Sequence, residues 1–320
     1  MPVKKRFLFF LICLSLAAVP RVLQGPPGSS RVNPSPGPPP ISGNLVFFYY
    51  RDLPGAVGFY RDTLGLTEVL DYGFARIFRI SQSTFIGLVD EKQGMHSADD
   101  PKTVTLSFIT PHTDQWYACL QKKGLEFRSP LQSSSRIHIR GFVTRDPEGY
   151  LLEFQKFLDH PMNEKLNRRL RGLKLFPTAI RWKDRRLGFL GNIVWLYYRD
   201  LPGAGKFYRE QLDLRLLCDQ RTSVVMDSSP SGFIGLVDET RGLHRYTEAK
   251  AVSVAFLVNN IRGWYRHLRE AGRPIKRELG PAENNRLEAF MTTDPAGYIL
   301  EFDRFLPHPD NLRLLRALRK

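Results

Sequence analysis

The sequence has only three cysteines in 320 residues, and it contains no CxxC pair. Metal sites and redox motifs built on closely spaced cysteines are therefore excluded. Cys13 lies in the N-terminal segment, which leaves Cys119 and Cys218 for the folded part. Because these two stand at non-equivalent positions of the repeat described below, a disulfide between them is permitted but nothing requires it.

Acidic residues are scarce: 32 aspartates and glutamates stand against 47 lysines and arginines, which gives a formal net charge of +15. A basic excess favours anionic surfaces, small anions or nucleic acid. No nucleic-acid-reading motif accompanies it, however, and no glycine-rich phosphate loop, Ser-His-Asp or Cys-His arrangement is recognisable. We therefore expect no specific nucleic-acid partner and interpret most of the charge as solvated basic surface.

Long hydrophobic runs are also missing. The longest mostly apolar run covers the 13 residues 7–19, which is short for a bilayer span. It follows the basic stretch "MPVKKR" and ends near the small residues Ser15 and Ala17, as a secretory signal does. We predict a signal peptide over residues 1–24 and export through the secretory pathway, to a periplasm or the cell exterior. An uncleaved membrane anchor is the alternative. Residues 25–42 read as a Pro/Gly-rich linker.

What the sequence does contain is a long internal repeat. Asp52 in "YYRDLPGA" returns as Asp200 in the same eight letters, and "FIGLVDE" begins at Phe85 and again at Phe233. Both pairs are shifted by 148 residues, and the shift stays the same along the rest of the two halves. A constant shift indicates a duplicated structural unit and a pseudo-dimer within one chain. The sequence leaves the oligomeric state open.

The duplication predicts two domains, over residues 43–158 and 191–306. Each begins with a β-rich run, then the turn "RDLPG" with Asp52 or Asp200 as helix N-cap, then strand signals. Signals for a second strand, helix and set of strands follow, so the order β-α-β-β-β occurs twice per half. The fold class is therefore α+β, with four βαβββ units in the chain.

Two basic segments flank the second domain: a predicted linker helix over residues 159–190 and a tail over residues 307–320. The linker carries Leu166, Leu170 and Leu173 with arginines between them, an amphipathic helical pattern. The tail repeats that pattern in "NLRLLRALRK". We expect these helices to pack against the domains, with contact to an anionic surface as the alternative.

The stretches "RDLPGAVGFYRDTLGL" and "DPEGYLLEF", with their second copies, resemble the opening helix and closing strand of the vicinal oxygen chelate superfamily. Its members include glyoxalase I, bleomycin resistance proteins and extradiol dioxygenases. The resemblance implies two tandem domains whose βαβββ units curve into half-open barrels that hold a metal or a ligand. It leaves open whether this chain is an enzyme, because one fold hosts several chemistries. An enzyme would be a glyoxalase-like lyase or a dioxygenase.

The resemblance also implies metal-ligand positions, and most of them lack a ligand here. They are held by Leu45 and Ile193, by Thr105 and Ser253, by Gly87 and Gly235, and by Glu153 and Glu301. A dioxygenase set of two histidines and one glutamate would fall on Ile193, Ser253 and Glu301 and would lack both histidines. Because a catalytic metal needs about three protein ligands, we expect the standard metal site to be lost and no cofactor to be bound. A divalent metal on the candidate catalytic residues Glu153 or Glu301 is the alternative.

Strand alternation predicts which side chains line the barrels. The predicted ligand-binding residues are Phe47, Tyr49, Thr105, Ser107, Glu153, Trp195, Tyr197, Ser253 and Glu301. Aromatic walls with one carboxylate suit a flat or cationic organic molecule; a collapsed, filled barrel is the alternative. A carboxylate in a filled core would need a partner, for which Arg76, Arg79 and Arg140 are candidates.

Overall fold

The structure, a computed structural model, describes residues 37–319. The predicted signal peptide and most of the Pro/Gly-rich linker lie outside the described residues. Within residues 37–319, no helix has the length and apolar character that crossing a membrane requires.

The described residues form four βαβββ units, as the sequence predicted. The first unit comprises β1 (Ile41–Tyr50), α1 (Leu53–Gly58), β2 (Thr67–Asp71), β3 (Ala75–Arg79) and β4 (Thr84–Asp90). The second comprises β5 (Val104–Ile109), α2 (Thr113–Lys122), β6 (Phe127–Ser134), β7 (Ile139–Arg145) and β8 (Leu151–Phe157). The connection contains α3 (Glu164–Arg171), β9 (Phe176–Trp182) and β10 (Arg185–Phe189).

The third unit comprises β11 (Gly191–Tyr198), α4 (Leu201–Glu210), β12 (Arg215–Asp219), β13 (Ser223–Ser229) and β14 (Gly232–Asp238). The fourth comprises β15 (Val252–Val258), α5 (Ile261–Glu270), β16 (Ile275–Ala282), β17 (Leu287–Thr293) and β18 (Ile299–Phe305), and α6 (Leu312–Leu318) follows it.

The repeated "RDLPG" turns begin helices in the predicted way. The Asp52 side chain accepts a hydrogen bond from the Gly55 backbone N–H at 3.0 Å, and Asp200 accepts one from Gly203 at 2.9 Å. These bonds satisfy a backbone donor that the helix itself leaves free. The copies then differ: α1 continues as a π-helical turn over Phe59–Thr63, whereas α4 is α-helical throughout.

The strands of the four units form two eight-stranded sheets. Sheet I has the order β16-β17-β18-β15-β1-β4-β3-β2, and sheet II has the order β12-β13-β14-β11-β5-β8-β7-β6. Sheet I therefore joins the first unit to the fourth through the antiparallel pair β1 and β15. Sheet II joins the second unit to the third through β5 and β11. Both sheets are curved and are not closed into barrels.

The sheets divide the chain differently from the sequence-predicted domains. The strands of residues 43–158 are shared between both sheets, and so are those of residues 191–306. β1 and β11 are copies of each other, and so are β5 and β15. Pairing β1 with β5 and β11 with β15 would therefore bring together the same strand edges as the observed pairs of β1 with β15 and β11 with β5. In this structure the second and third units, which are connected through α3, β9 and β10, lie next to each other in sheet II.

The connecting segment is only partly helical. The helix predicted over residues 159–190 covers Glu164–Arg171, where Leu166 and Leu170 are buried against sheet II. After Gly172 the chain turns into the two-stranded hairpin of β9 and β10. The alternation in "FPTAIRW" has the period of a strand rather than of a helix. The tail contains α6, whose Leu314 is buried against sheet I; contact of these helices with an anionic surface stays a prediction.

The two sheets are joined by a buried cluster of tyrosines around one aspartate. The hydroxyls of Tyr50 and Tyr60 donate to Asp146 at 2.6 and 3.0 Å, and the Tyr150 backbone N–H donates to it at 2.9 Å. The Tyr150 hydroxyl in turn accepts from the backbone N–H of Tyr49. The same cluster recurs in the second half on Tyr198, Tyr208, Asp294 and Tyr298. It fixes the backbone from which the cavity-lining tyrosine projects.

Both cysteines of the described residues are buried, and both are free thiols. The disulfide that the sequence permitted between Cys119 and Cys218 does not form in this fold.

Candidate functional site

Alternate side chains of the central strands line the concave face of each sheet. On β1, Phe47 and Tyr49 line the cavity of sheet I, while Val46 packs in the core shared with the helices. On β11, Trp195 and Tyr197 line the cavity of sheet II. The period of two in a β-strand explains this division.

The nine sequence-predicted residues fall into two groups, one for each sheet. Sheet I carries Phe47, Tyr49, Ser253 and Glu301; sheet II carries Thr105, Ser107, Glu153, Trp195 and Tyr197. The expected set of Ile193, Ser253 and Glu301 is not brought together, because Ile193 belongs to β11 of sheet II. Leu45 on β1 holds the corresponding position in sheet I, so the missing histidine is missing there too.

A glycine lies beneath the first aromatic ring of each sheet. Phe47 and Gly87 are partners in the parallel pair of β1 and β4, and a Cβ atom on Gly87 would lie 2.3 Å from Cδ1 of Phe47. Likewise, a Cβ atom on Gly235 would lie 2.0 Å from Cε3 of Trp195. The rings therefore occupy the room that a side chain at Gly87 or Gly235 would need. These glycines stand where the resemblance implies a metal ligand.

The tyrosine of each first strand is packed between a glycine and a histidine of the following loop. A Cβ atom on Gly94 would lie 2.6 Å from Cδ1 of Tyr49, and the His96 ring meets the Tyr49 ring edge-on at 4.9 Å. Gly242, Tyr197 and His244 repeat this arrangement. Burial, and next the charge of Arg128, lower the pKa of His244 to about 4. The histidine is thus a neutral packing partner at physiological pH.

The concave face of sheet II encloses a cavity of about 320 Å³, which we call cavity II. Its surface is largely apolar around an aromatic floor, and hydroxyl, amide and guanidinium groups project from its walls. The polar and charged residues among its lining are Thr105, Ser129, Gln132, Ser134, Arg136, Glu153, Gln155, Tyr197, Gln220, Thr222, Ser223 and Arg241.

Hydrogen bonds satisfy the carboxylate of cavity II. The Trp195 indole N–H donates to the Ser107 hydroxyl at 2.7 Å, and Ser107 donates to Glu153. Thr105 and Tyr197 share a hydrogen bond of 2.7 Å beside them. Burial raises the pKa of Glu153, although the hydrogen bonds of Ser107 and Trp195 oppose that effect.

The concave face of sheet I encloses a smaller cavity of about 170 Å³, which we call cavity I. Its walls are more aromatic and apolar than those of cavity II. They include Phe47, Tyr49, Leu70, Tyr72, Phe74, Ile77, Met95, Leu287, Met291 and Phe305, together with Arg277, Glu283, Glu301 and Asp303.

Two carboxylates on β18, Glu301 and Asp303, lie side by side in cavity I. They are two residues apart on one face of the strand and are 7% and 3% exposed. One oxygen of each, Oε1 of Glu301 and Oδ1 of Asp303, has no hydrogen-bond partner. Burial, opposed by a hydrogen bond from Ser253, raises the pKa of Glu301 to about 7, and burial and the Glu301 charge raise the pKa of Asp303.

The arginines that the sequence offered as partners of Glu153 bind elsewhere. Arg140 pairs with Asp114, Arg76 pairs with Glu68 and Asp71, and Arg79 donates to two backbone carbonyls. Arg76 and Arg79 belong to sheet I, and Glu153 of sheet II accepts a hydrogen bond from Ser107 instead.

The residues at the implied metal positions do not fit a metal ion. In sheet I these positions are Leu45, Gly87, Ser253 and Glu301; in sheet II they are Ile193, Gly235, Thr105 and Glu153. Each set offers one carboxylate and one hydroxyl, short of the three strong donors that a tightly held divalent ion needs. Residues 37–319 also contain no group of three histidine, cysteine, aspartate or glutamate side chains that could hold a metal.

Several cavity-lining residues were not predicted from the sequence, because they lie on the outer strands of the units. Tyr72, Phe74 and Arg277 are examples, on or beside β2, β3 and β16. Alternation alone does not reveal whether an outer strand reaches a cavity. Their equivalents in cavity II, Gln220, Thr222 and Ser129, differ from them in chemical character, so the repeat gives no sequence signal for them.

A family model described as the glyoxalase/bleomycin resistance protein/dioxygenase superfamily matches residues 44–154 and 190–302. A search among curated proteins finds no match.

Solved structures share the fold over most of the chain. Glyoxalase I from Zea mays is 15% identical, with a TM-score of 0.59, and the match covers 88% of this chain and 95% of that one. A putative dioxygenase from Bacillus subtilis is 14% identical, with a TM-score of 0.60, and the match covers 88% of this chain and 90% of that one. At these identities the likeness concerns the fold.

Proposed function

The chain belongs to the glyoxalase/bleomycin resistance protein/dioxygenase superfamily, and from this premise we propose that it is an exported protein that binds small organic molecules in cavities I and II without a metal ion. The observation that carries the proposal is the pair of aromatic rings over glycine. The Phe47 ring lies over Gly87 and the Trp195 ring lies over Gly235, so an aromatic ring forms the cavity floor at each of these implied metal positions.

The cavities have the properties of small-molecule sites. They are concave, largely apolar and carry a few polar groups on rigid strands. Aromatic floors offer contact area to a flat ligand and attract cations through the ring faces. Polar side chains with unused hydrogen-bonding capacity, such as Gln155 in cavity II and Glu301 in cavity I, supply orientation.

A metal-dependent lyase or dioxygenase built on Glu153 or Glu301 is the alternative. It requires donors from outside the implied positions, because Leu45, Gly87 and their copies offer none. The histidines of the following loops, His96 and His244, pack against tyrosine rings instead. The donor set thus favours binding over metal-dependent chemistry.

Export is supported by the basic stretch and the short apolar run in residues 1–19. Expression of the full chain, followed by N-terminal sequencing of the product, tests it. A new N-terminus near residue 25 supports a cleaved signal. An intact N-terminus in the membrane fraction supports an anchor, and an intact soluble intracellular product contradicts export.

Binding is tested by thermal shift with a panel of small aromatic molecules, both neutral and charged, on chelator-treated full chain. The repeat-matched variants Val143→Trp and Met291→Trp fill cavity II and cavity I, respectively, since these two residues line the same place in the two cavities. We expect each molecule that binds the wild type to bind one of the two variants more weakly, namely the variant whose filled cavity is its site. If no panel member binds the wild type while a divalent ion does, the alternative is correct.

A further inference from the structure

The two cavities are lined from equivalent strands of the repeat, and they differ in charge. Cavity I is lined by three carboxyl groups, of Glu283, Glu301 and Asp303, and by the single guanidinium of Arg277. Its formal charge is therefore −2 when all four groups are ionised. Only Glu301 has a charged counterpart in the other copy.

Cavity II has the opposite balance. It is lined by the guanidinium groups of Arg136 and Arg241 and by the carboxyl group of Glu153, a formal charge of +1. The repeat positions equivalent to its two arginines hold the uncharged residues Asn284 and Gln93, of which Gln93 lines cavity I, and Gln155 stands where cavity I has Asp303. The contrast therefore arises at several independent positions of one repeat.

The carboxylates of cavity I have hydrogen-bonding capacity left over. Oε1 of Glu301 and Oδ1 of Asp303 are buried without a partner, although the Glu301 carboxylate accepts a hydrogen bond from Ser253 just as Glu153 of cavity II accepts one from Ser107. Two neighbouring buried carboxylates that each keep an unpartnered oxygen are costly. A ligand that brings N–H donors and a positive charge would remove this cost, and a neutral ligand would remove less of it.

The walls of cavity I add an aromatic surround. Tyr72 and Phe74 stand where cavity II has Gln220 and Thr222. Arg286 lies over the Tyr72 ring at 3.8 Å and is itself paired with Asp310 at 3.0 Å, so this guanidinium already has its countercharge. Met95 at the mouth is 47% exposed and extends the apolar surface outward.

We propose that cavity I selects a small organic cation, a primary ammonium group on an aromatic or apolar body, while cavity II does not. The ammonium group would donate hydrogen bonds to Glu301 and Asp303, and the body would lie against Phe47 and the outer aromatic walls. This inference rests on the proposed binding function and specifies the ligand class of one of its two sites.

The test is calorimetric titration of the full chain at pH 8 and low salt with 2-phenylethylamine and with its neutral isostere 2-phenylethanol. We expect one cation site per chain and about tenfold weaker binding of the alcohol, which corresponds to a single lost charge interaction. Asp303→Asn should weaken the amine about tenfold and leave the alcohol unchanged. The repeat-matched variant Glu153→Gln should leave the amine's affinity at cavity I unchanged.

The outcomes separate this inference from the function on which it rests. Equal affinity for the amine and the alcohol, or an amine site lost in Glu153→Gln rather than in Asp303→Asn, overturns the selectivity of cavity I while binding itself stands. Binding of neither probe overturns the inference, and the function then depends on the wider panel. Thermal unfolding of each variant shows that it is folded, and the comparison of the two probes on wild type needs no variant.

Discussion

Trp195 and Gly235 are register partners on adjacent parallel strands, and the indole ring lies where a side chain at residue 235 would project. Phe47 and Gly87 repeat this relationship in the other sheet. Both copies of the repeat thus pair an aromatic ring with a glycine at a position where the resemblance to metal-dependent relatives implies a ligand. The ring and the glycine fit each other, and this packing is what the proposal of a metal-free site rests on.

Adding a methyl group at residue 235 should destabilise the protein. Gly235→Ala forces Cβ into the Trp195 ring, and overpacking of this kind costs about 1–3 kcal/mol. Chemical denaturation measures the change in the free energy of unfolding. Gly280→Ala is the matched control, because Gly280 lies in strand β16 with no atom within 4 Å of an added Cβ. The double variant Gly235→Ala/Trp195→Leu should regain part of the loss; no difference between the two glycine variants would contradict the close contact.

Removing one carboxylate of the buried pair should stabilise the protein at high pH. Burial raises the pKa of Glu301 from 4.5 to about 7 and that of Asp303 from 3.8, so the folded state binds these protons more tightly than the unfolded chain does. The pair therefore lowers stability as the pH rises from about 4 through 7. Asp303→Asn should raise the free energy of unfolding at pH 8 relative to wild type.

The gain from Asp303→Asn should shrink as the pH falls and disappear only below the ordinary aspartate pKa of 3.8, where the carboxyls are protonated in the folded and unfolded states alike. Thermal unfolding of wild type and variant between about pH 3 and 8 measures it. Gln155 at the equivalent position of cavity II shows that the fold accommodates an amide there. A variant that is equally destabilised at every pH would show that the carboxylate pair carries no electrostatic cost.

Affinity of cavity I for 2-phenylethylamine should fall as the pH is lowered from 8 to 6. Protonation of Glu301, whose pKa is about 7, removes negative charge and one acceptor from the site. The other titratable and charged groups facing it are Asp303, Arg277, Glu283 and Tyr49. Titration calorimetry at several pH values measures the change, with 2-phenylethanol as the control that should vary little. An affinity that rises on acidification would contradict the role of Glu301.

The tyrosine cluster around Asp146 should be essential to stability. Asp146→Ala leaves the hydroxyls of Tyr50 and Tyr60 and two backbone N–H groups without their acceptor. Unsatisfied buried donors cost about 1–3 kcal/mol each, so we expect a loss of roughly 3 kcal/mol or more in the free energy of unfolding. Asp114→Ala, at a partly exposed ion pair with Arg140, is the control and should cost below about 1 kcal/mol. A loss at Asp146 as small as the control's would show that the cluster does not join the sheets.

The sequence predicted the local structure well because each signal acts over a few residues. The "RDLPG" turns begin helices at Leu53 and Leu201, and alternation on β1 and β11 separates cavity side chains from core side chains. Which units pair could not be predicted, because β1 and β11 are copies and their possible partner strands β5 and β15 are copies as well. The choice depends on the connection through α3 and the β9–β10 hairpin, which is a tertiary effect.

The difference in charge between the two cavities could be predicted only in part from the sequence. Glu153 and Glu301 were expected in both copies, and both lie in cavities. The charges that distinguish the cavities, such as Arg277 and Arg241, come from outer strands and loops whose approach to the cavity depends on sheet curvature. Only the three-dimensional structure shows that these residues share walls with Asp303 or Gln155.

The most direct test of a metal-free binding protein is the metal content of the full chain. Elemental analysis would be made on untagged protein after dialysis against trace nickel, zinc, iron and manganese, alongside Glu153→Ala and Glu301→Ala. We expect far less than one metal ion per chain in all three samples, because each implied site offers a single carboxylate. About one metal ion per cavity, lost from the cavity whose glutamate is replaced, would contradict it and favour the lyase or dioxygenase alternative.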